Sequence, residues 1–259
     1  MSENEVNIKP VLDDYIKNIS NELKIRWNKW PKDLMENNVY EVIGGILSRQ
    51  SSLAIQLALN MNIWNEEIAP IILRTMADTH INLAWILINP KEHSEKFILH
   101  GLGQLKLELE HRKNNIPKNN PEMEELLQQE EEIINSYRYT FLTEVNLGSW
   151  SGLNTRKMAE DSGLIDFYNY VYQPFSNCTH STWAHIAKYN LKVSENPLHR
   201  FLKQPSIIEF KPHISYMDTG AKYLEKSFKA FDKKFELETE IVSSYEKFIE
   251  DFNNTVEKK

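Results

Sequence analysis

The apolar residues of one segment, residues 66–88, continue around every side of a helix. A helix at the surface of a globular protein carries one apolar stripe and one polar face, whereas a helix that is apolar all round is buried. The segment therefore predicts a central helix that other helices must surround. Its large apolar side chains are Ile68, Ile71, Ile72, Met76, Ile81, Leu83, Trp85 and Ile86.

The rest of the chain also repeats its apolar residues at steps of three and four, which predicts further helices. In the first of these, which ends near Trp30-Pro31, we expect Asp13, Lys17 and Glu22 to face water. No strand pattern is visible, so the predicted fold class is all-α, a single-domain helical bundle with a buried central helix and long antiparallel helices. The other helices are expected over residues 41–60, 90–112, 121–145, 155–160, 166–173, 176–189 and 213–252, the last bent near Gly220, with a long loop over residues 190–211.

Composition excludes several classes of protein. Only 8 of 259 residues are Gly and 10 are Pro, which argues against linker-like and disordered chains. The single cysteine excludes an intramolecular disulfide framework. Because the acidic start lacks signal-peptide features and no apolar run approaches the roughly 20 residues of a membrane span, we expect a cytoplasmic protein without membrane contact. One domain is expected over residues 8–252, after a disordered N-terminus over residues 1–7 and before a tail over residues 253–259.

The first candidate site lies on the most apolar helix. Arg74 and Asp78 are four residues apart and therefore neighbours on one face, and a buried arginine needs a carboxylate or a water-filled cleft. His80 follows, and an arginine that binds phosphate beside a histidine that moves a proton suits phosphodiester cleavage. Six residues turn a helix by about 240°, so Arg74 and His80 converge only at a helix end, at a kink near Pro70 or across a dimer. The alternative is a structural Arg74–Asp78 pair with His80 elsewhere in the core or on the surface.

The second candidate site lies in the segment from Ser176 to His185. Ser176 and His180 are four residues apart, so a hydroxyl beside an imidazole could supply a nucleophile and its base. The alternative interpretation makes Ser176 a helix N-cap after Pro174. His180 and Trp183 could line a pocket with Arg74, and we add Trp150 to the candidate pocket residues. The alternative for His180 is a buried hydrogen-bonding post between helices.

Two weaker signals concern metals and anionic partners. The pair Glu108 and His111 occurs once, whereas di-iron bundles need it twice, so we predict no metal and no cofactor. The long loop is locally basic, although the formal net charge of the whole chain is −7. It is therefore a candidate surface for RNA, the alternative being an ordinary solvated loop. The basic residues of this loop are Lys192, Arg200, Lys203 and Lys211, and Lys188 lies just before it.

Two blocks of sequence resemble an uncharacterised family of bacterial helical proteins, catalogued only as a domain of unknown function. The resemblance covers residues 39–189 and transfers no residue role. Its blocks run from Ile72 to Trp85 and, with gaps, from Ser149 to His180.

A looser resemblance is to the HEPN superfamily, whose hallmark is an arginine and a histidine separated by four to six residues. Arg74 and His80 match that spacing. The resemblance implies a dimeric, metal-independent ribonuclease in which Arg74 binds the phosphate, His80 transfers the proton and Asp78 orients them. The sequence therefore supports two hypotheses. One is an HEPN-like ribonuclease or RNA-binding effector of bacterial stress or antiviral defence, acting as a homodimer. The other is a non-enzymatic helical interaction or sensor module of unknown ligand, in which the Arg74–Asp78 pair is structural.

Overall fold

The computed structural model describes residues 7–115, 120–136, 148–199, 201–238 and 242–257. Over these residues the chain is helical apart from short connections and one β-hairpin, which confirms the all-α class. The predicted loop over residues 111–119, the end of the helix predicted to residue 145, and Arg200 lie wholly or partly outside the described residues. The helices are α1 (Lys9–Lys29), α2 (Asn37–Leu59), α3 (Ala69–Ile88), α4 (Pro90–Asn115), α5 (Pro121–Ser136), α6 (Thr155–Asp161), α7 (Ile165–Phe167), α8 (Gln173–Thr179), α9 (Trp183–Tyr189), α10 (Ile214–Lys234) and α11 (Ser244–Glu257), with strands β1 (Leu191–Val193) and β2 (Lys203–Pro205).

Helix α3 is the central element, as its all-round apolar pattern predicts. It packs against α2, α4, α6, α8 and α10, and Leu73, Met76 and Ile81 are fully buried. Gly220 on α10 allows the close crossing with α2 and α3, because a Cβ there would lie against the Leu57 side chain. The predicted C-terminal helix is interrupted after Lys234 rather than at Gly220. By length and hydropathy α2 and α3 would also qualify as membrane spans, but half or more of each is buried inside the fold, which is weak evidence for a membrane.

One prediction for α1 is wrong. Glu22 does not face water but is 1% exposed, on the same buried face as Arg26. Arg26 contacts the Glu22 carboxylate at 3.3 Å and the Asp232 carboxylate of α10 at 2.8 Å, and its guanidinium lies 4.1 Å from the centre of the Phe228 ring. A carboxylate can be buried in this way only because a cation is buried beside it.

The segment over residues 166–211 departs most from the predictions. Pro174 does not end a helix, because a π-helical turn (Tyr168–Tyr172) runs directly into α8. The helix predicted over residues 176–189 is broken between α8 and α9, where Ser181 adopts a left-handed conformation with φ of 47°. The predicted loop contains an antiparallel hairpin in which Lys192 pairs with Gln204. Three-residue strands are too short to show a periodic pattern in the sequence.

Candidate functional site

The Arg74 side chain lies between α3, the π-helical turn and α8. Its Nε donates a hydrogen bond to Ser176 Oγ at 2.8 Å, and its Nη1 forms an ion pair with the Asp78 carboxylate. The centre of the guanidinium lies 3.2 Å from the centre of the Tyr172 ring, which is a cation–π contact. The residue is 8% exposed. Arg74 therefore joins the central helix to a segment about 100 residues later in the chain.

The π-helical turn explains how Ser176 reaches Arg74. The Gln173 amide donates to the Tyr168 carbonyl, five residues back, which widens the helix just before Pro174. Ser176 Oγ donates to the Tyr172 carbonyl at 2.9 Å, so its lone pairs stay free to accept from Arg74. Ser176 therefore lies inside α8 and is not the N-cap that one interpretation predicted. Its hydroxyl proton is also committed to a backbone carbonyl.

The exposed edge of this cluster is formed by Asp78, whose side chain is 39% exposed. Behind it, the Tyr172 ring stacks on Tyr168 at 4.7 Å, and its hydroxyl lies 3.4 Å from Thr155 Oγ1. Burial raises the pKa of Tyr172, so its hydroxyl stays protonated at neutral pH. Of the two charged groups, the carboxylate meets water and the guanidinium is largely enclosed.

His80 lies on another side of α3 and has different partners. Its Nδ1 is 3.0 Å from Ser227 Oγ on α10, and its ring meets the Phe167 ring edge-on at 5.2 Å. Ser227 Oγ donates its proton to the Tyr223 carbonyl at 3.0 Å. Nδ1 of His80 must therefore carry the proton that it shares with Ser227. Burial, with a smaller contribution from Lys226, lowers the pKa of His80 to about 4, so the ring is neutral at pH 7.

The structure thus separates Arg74 from His80 within one chain. Both residues are in the interior of α3, not at an end, and their hydrogen-bond partners belong to α8 and α10, respectively. The 240° angular separation expected from their spacing explains this arrangement. Arg74 instead contacts Asp78 and Ser176.

The other predicted pocket residues are dispersed. His180 is exposed at the C-terminal end of α8, where its amide donates to the Ser176 carbonyl at 3.0 Å. Trp183 is exposed in the first turn of α9. Trp150 packs edge-on against Trp85 at 5.2 Å and Phe97 at 4.9 Å, so it belongs to the side of the core formed with α4. Of the four predicted pocket residues, which are these three and Ser176, only Ser176 forms a described contact with Arg74.

A polar cluster that the sequence did not reveal lies beside α8. Cys178 Sγ is 3.3 Å from the Glu67 carbonyl, His185 Nε2 is 3.4 Å from Glu67 Oε2, and Asn190 donates to Glu67 Oε1 at 3.0 Å. Burial raises the pKa of the Cys178 thiol, which keeps it protonated and unsuited to nucleophilic attack. The cluster fixes α8 and α9 against the start of α3. No local spacing could have indicated it, because Glu67 lies more than 100 residues before the other three members.

The metal and basic-loop candidates lie at the surface. Glu108 and His111 are both exposed, and no group of three potential metal ligands occurs among the residues that the structure describes. In the hairpin region Lys192 pairs with Glu195 at 3.0 Å. Leu198 and Phe201 are about nine-tenths exposed, at 89% and 92%. The predicted basic surface therefore carries apolar side chains as well, and RNA contact there stays a prediction.

The comparisons with known proteins agree with the resemblance seen in the sequence. A model of a family described as a family of unknown function (DUF5677) matches residues 40–197, which is more than half of the chain. The match includes Arg74, Asp78 and Ser176. No curated protein and no solved structure matches the chain.

Proposed function

Because the chain belongs to this family of unknown function, DUF5677, we propose a function from its own site. The protein is a non-enzymatic helical binding module in which Arg74 is structural. The observation that carries this proposal is the enclosure of the Arg74 guanidinium by Asp78, Ser176 and Tyr172. A guanidinium that binds phosphate must offer at least one open edge to the ligand. Here its Nε and Nη1 are already used inside the fold.

The state of the candidate proton-transfer groups also supports a module without catalysis. A general base near neutral pH needs a pKa close to the working pH and access to the reacting proton. His80 has neither, because burial lowers its pKa to about 4 and its Nδ1 proton is shared with Ser227. The Ser176 hydroxyl has no described base beside it and donates to a carbonyl.

The test combines RNA cleavage with thermal denaturation of four proteins: wild type, Arg74→Ala, His80→Gln and His180→Ala. The proposal expects no cleavage of single-stranded or structured RNA by wild type, and a lower Tm for Arg74→Ala. His180→Ala should leave the Tm within about 1–2 °C of wild type, because surface substitutions have small effects. RNA cleavage that is lost in Arg74→Ala at an unchanged Tm would overturn the proposal.

The second candidate is the RNA-directed function, with one revision. Ser176 bonds to Arg74, and His180 follows Ser176 by one helical turn at the exposed end of α8. An Arg74-dependent ribonuclease would therefore use His180 rather than His80 for proton transfer. In the same set of variants it predicts cleavage that His180→Ala abolishes and His80→Gln leaves intact.

A further inference from the structure

A groove of about 470 Å³ runs between α2 and α4, with α3 as its floor. Each wall repeats apolar residues at helical spacing, with Val42 and Ile46 on α2 and Ile98 and Leu105 on α4. The volume falls within the range of small-molecule sites, which are mostly apolar with a few polar groups that fix the ligand. None of the candidate residues from the sequence analysis lines this groove.

Two glycines keep the groove open. Gly45 lies on the α2 wall and Gly101 on the α4 wall, and a Cβ at either position would meet no atom within 4 Å. Helix-interior glycines cost stability relative to other residues. Their position on the two facing walls therefore leaves room that a large side chain such as leucine would fill.

The polar groups of the groove are placed asymmetrically. Arg49 lies at one end and Glu41 at the other, two helical turns or about 12 Å away along α2. Asn82 lies in the floor between them. Within the described part of the chain, neither Arg49 nor Asn82 forms a hydrogen bond or an ion pair with another side chain. A positive charge and an amide are thus available to a ligand at an otherwise apolar groove.

We infer that the groove between α2, α3 and α4 binds an amphipathic carboxylate of the medium-chain fatty acid type. Its carboxylate contacts Arg49, and its alkyl chain lies between the walls formed by Ile46 and Ile98. The charges argue for this orientation, because Glu41 repels a carboxylate at the opposite end. The inference deepens the proposed function by naming the ligand class of the binding module, and it rests on that function.

The experiment measures binding to the full chain by calorimetry and thermal denaturation, with decanoate below its micelle concentration as the probe. Decanol and decyltrimethylammonium serve as neutral and cationic probes of the same chain length. At a concentration a hundredfold above its Kd, decanoate should raise the Tm by roughly 5–10 °C. Arg49→Gln should weaken decanoate binding roughly fivefold and leave decanol binding unchanged. Equal affinity of wild type for all three probes, or no binding of decanoate, overturns the inference.

Glycine variants give a matched control for the position of the ligand. Gly101→Leu fills the groove and should abolish binding, while the better helix former raises the Tm of the free protein by roughly 2–3 °C. Gly101→Ala should give a similar gain in Tm and keep binding, because a single methyl group leaves the groove open. Gly45→Leu repeats the test from the opposite wall if Gly101→Leu does not fold. Undiminished binding by a folded leucine variant would place the ligand elsewhere.

The outcomes separate this inference from the proposed function. Absence of decanoate binding would not contradict the non-enzymatic function, because none of the partners that enclose Arg74 lines the groove. Conversely, Arg74-dependent RNA cleavage would overturn the non-enzymatic function without any change in decanoate binding.

Discussion

Replacing Arg74 by alanine removes three contacts, and the contribution of each to the free energy of unfolding depends on how far it is exposed to water. The hydrogen bond from a charged donor to Ser176 contributes about 1.5–3 kcal/mol, and the enclosed cation–π contact with Tyr172 about 1–2 kcal/mol. The ion pair contributes at most about 1 kcal/mol, because the Asp78 side chain is 39% exposed and water solvates it when its partner is lost. Since such terms add incompletely, we expect a loss of about 3 kcal/mol.

This loss corresponds to a decrease in Tm of roughly 6–12 °C for a chain of this size. Far-ultraviolet circular dichroism during heating, with urea unfolding at 25 °C, measures it. Arg74→Lys is the matched control. It keeps the charge beside Asp78 but loses the Nε donor and the planar contact with Tyr172, so it should show about half the loss. A decrease of less than about 2 °C for Arg74→Ala would refute the reasoning that these contacts hold α3 to α8.

Three further predictions concern other positions. Because the pKa of His80 is lowered from 6.5 to about 4 in the fold, the unfolded chain binds the extra proton between these pH values and stability falls as the pH drops through this window. His80→Gln should remove roughly 2 kcal/mol of that loss when urea unfolding at pH 7 is compared with pH 4.5. Ser181→Gly should raise the Tm by roughly 2–4 °C, because glycine adopts the φ of 47° without the cost that serine incurs; an unchanged Tm would contradict it. Gly220→Ala should destabilise the protein by about 1–2 kcal/mol in urea unfolding despite better helix propensity, because the added Cβ would meet the buried Leu57 side chain; a gain in stability would show that α10 can move away.

The end of α8 shows which local features the sequence could and could not predict. Both α6 and α8 end in the same motif, in which the residue after the cap is left-handed and the next amide reaches back five residues. At Gly163 the residue type predicts that ending. Ser181 adopts the same left-handed conformation, but a serine does not indicate the end of a helix. The sequence therefore predicts one continuous helix over residues 176–189, where the structure has α8 and α9.

The sequence predicts the angular positions of the candidate site residues around α3, but it does not predict which residues of other helices they contact. Along α3, 100° per residue places Asp78 at 40° from Arg74, Asn82 at about 80° and His80 at about 240°. These angles follow from spacing alone, and the structure keeps them: Asp78 pairs with Arg74, Asn82 faces the groove, and His80 faces α10. The two buried polar side chains of α3, Arg74 and His80, find their partners on the elements that pack against their own sides of the helix.

The identity of those partners depends on contacts between distant parts of the chain. Arg74 lies 102 residues from Ser176, and His80 lies 147 residues from Ser227. Both serines occupy positions where their hydroxyl protons bond to a carbonyl four residues back, which leaves lone pairs for the partner from α3. A serine inside a helix is therefore the common acceptor that allows α3 to bury a cation and an imidazole on separate faces. This arrangement explains why the arginine and histidine spacing of a ribonuclease can occur in a helix where the two side chains do not meet.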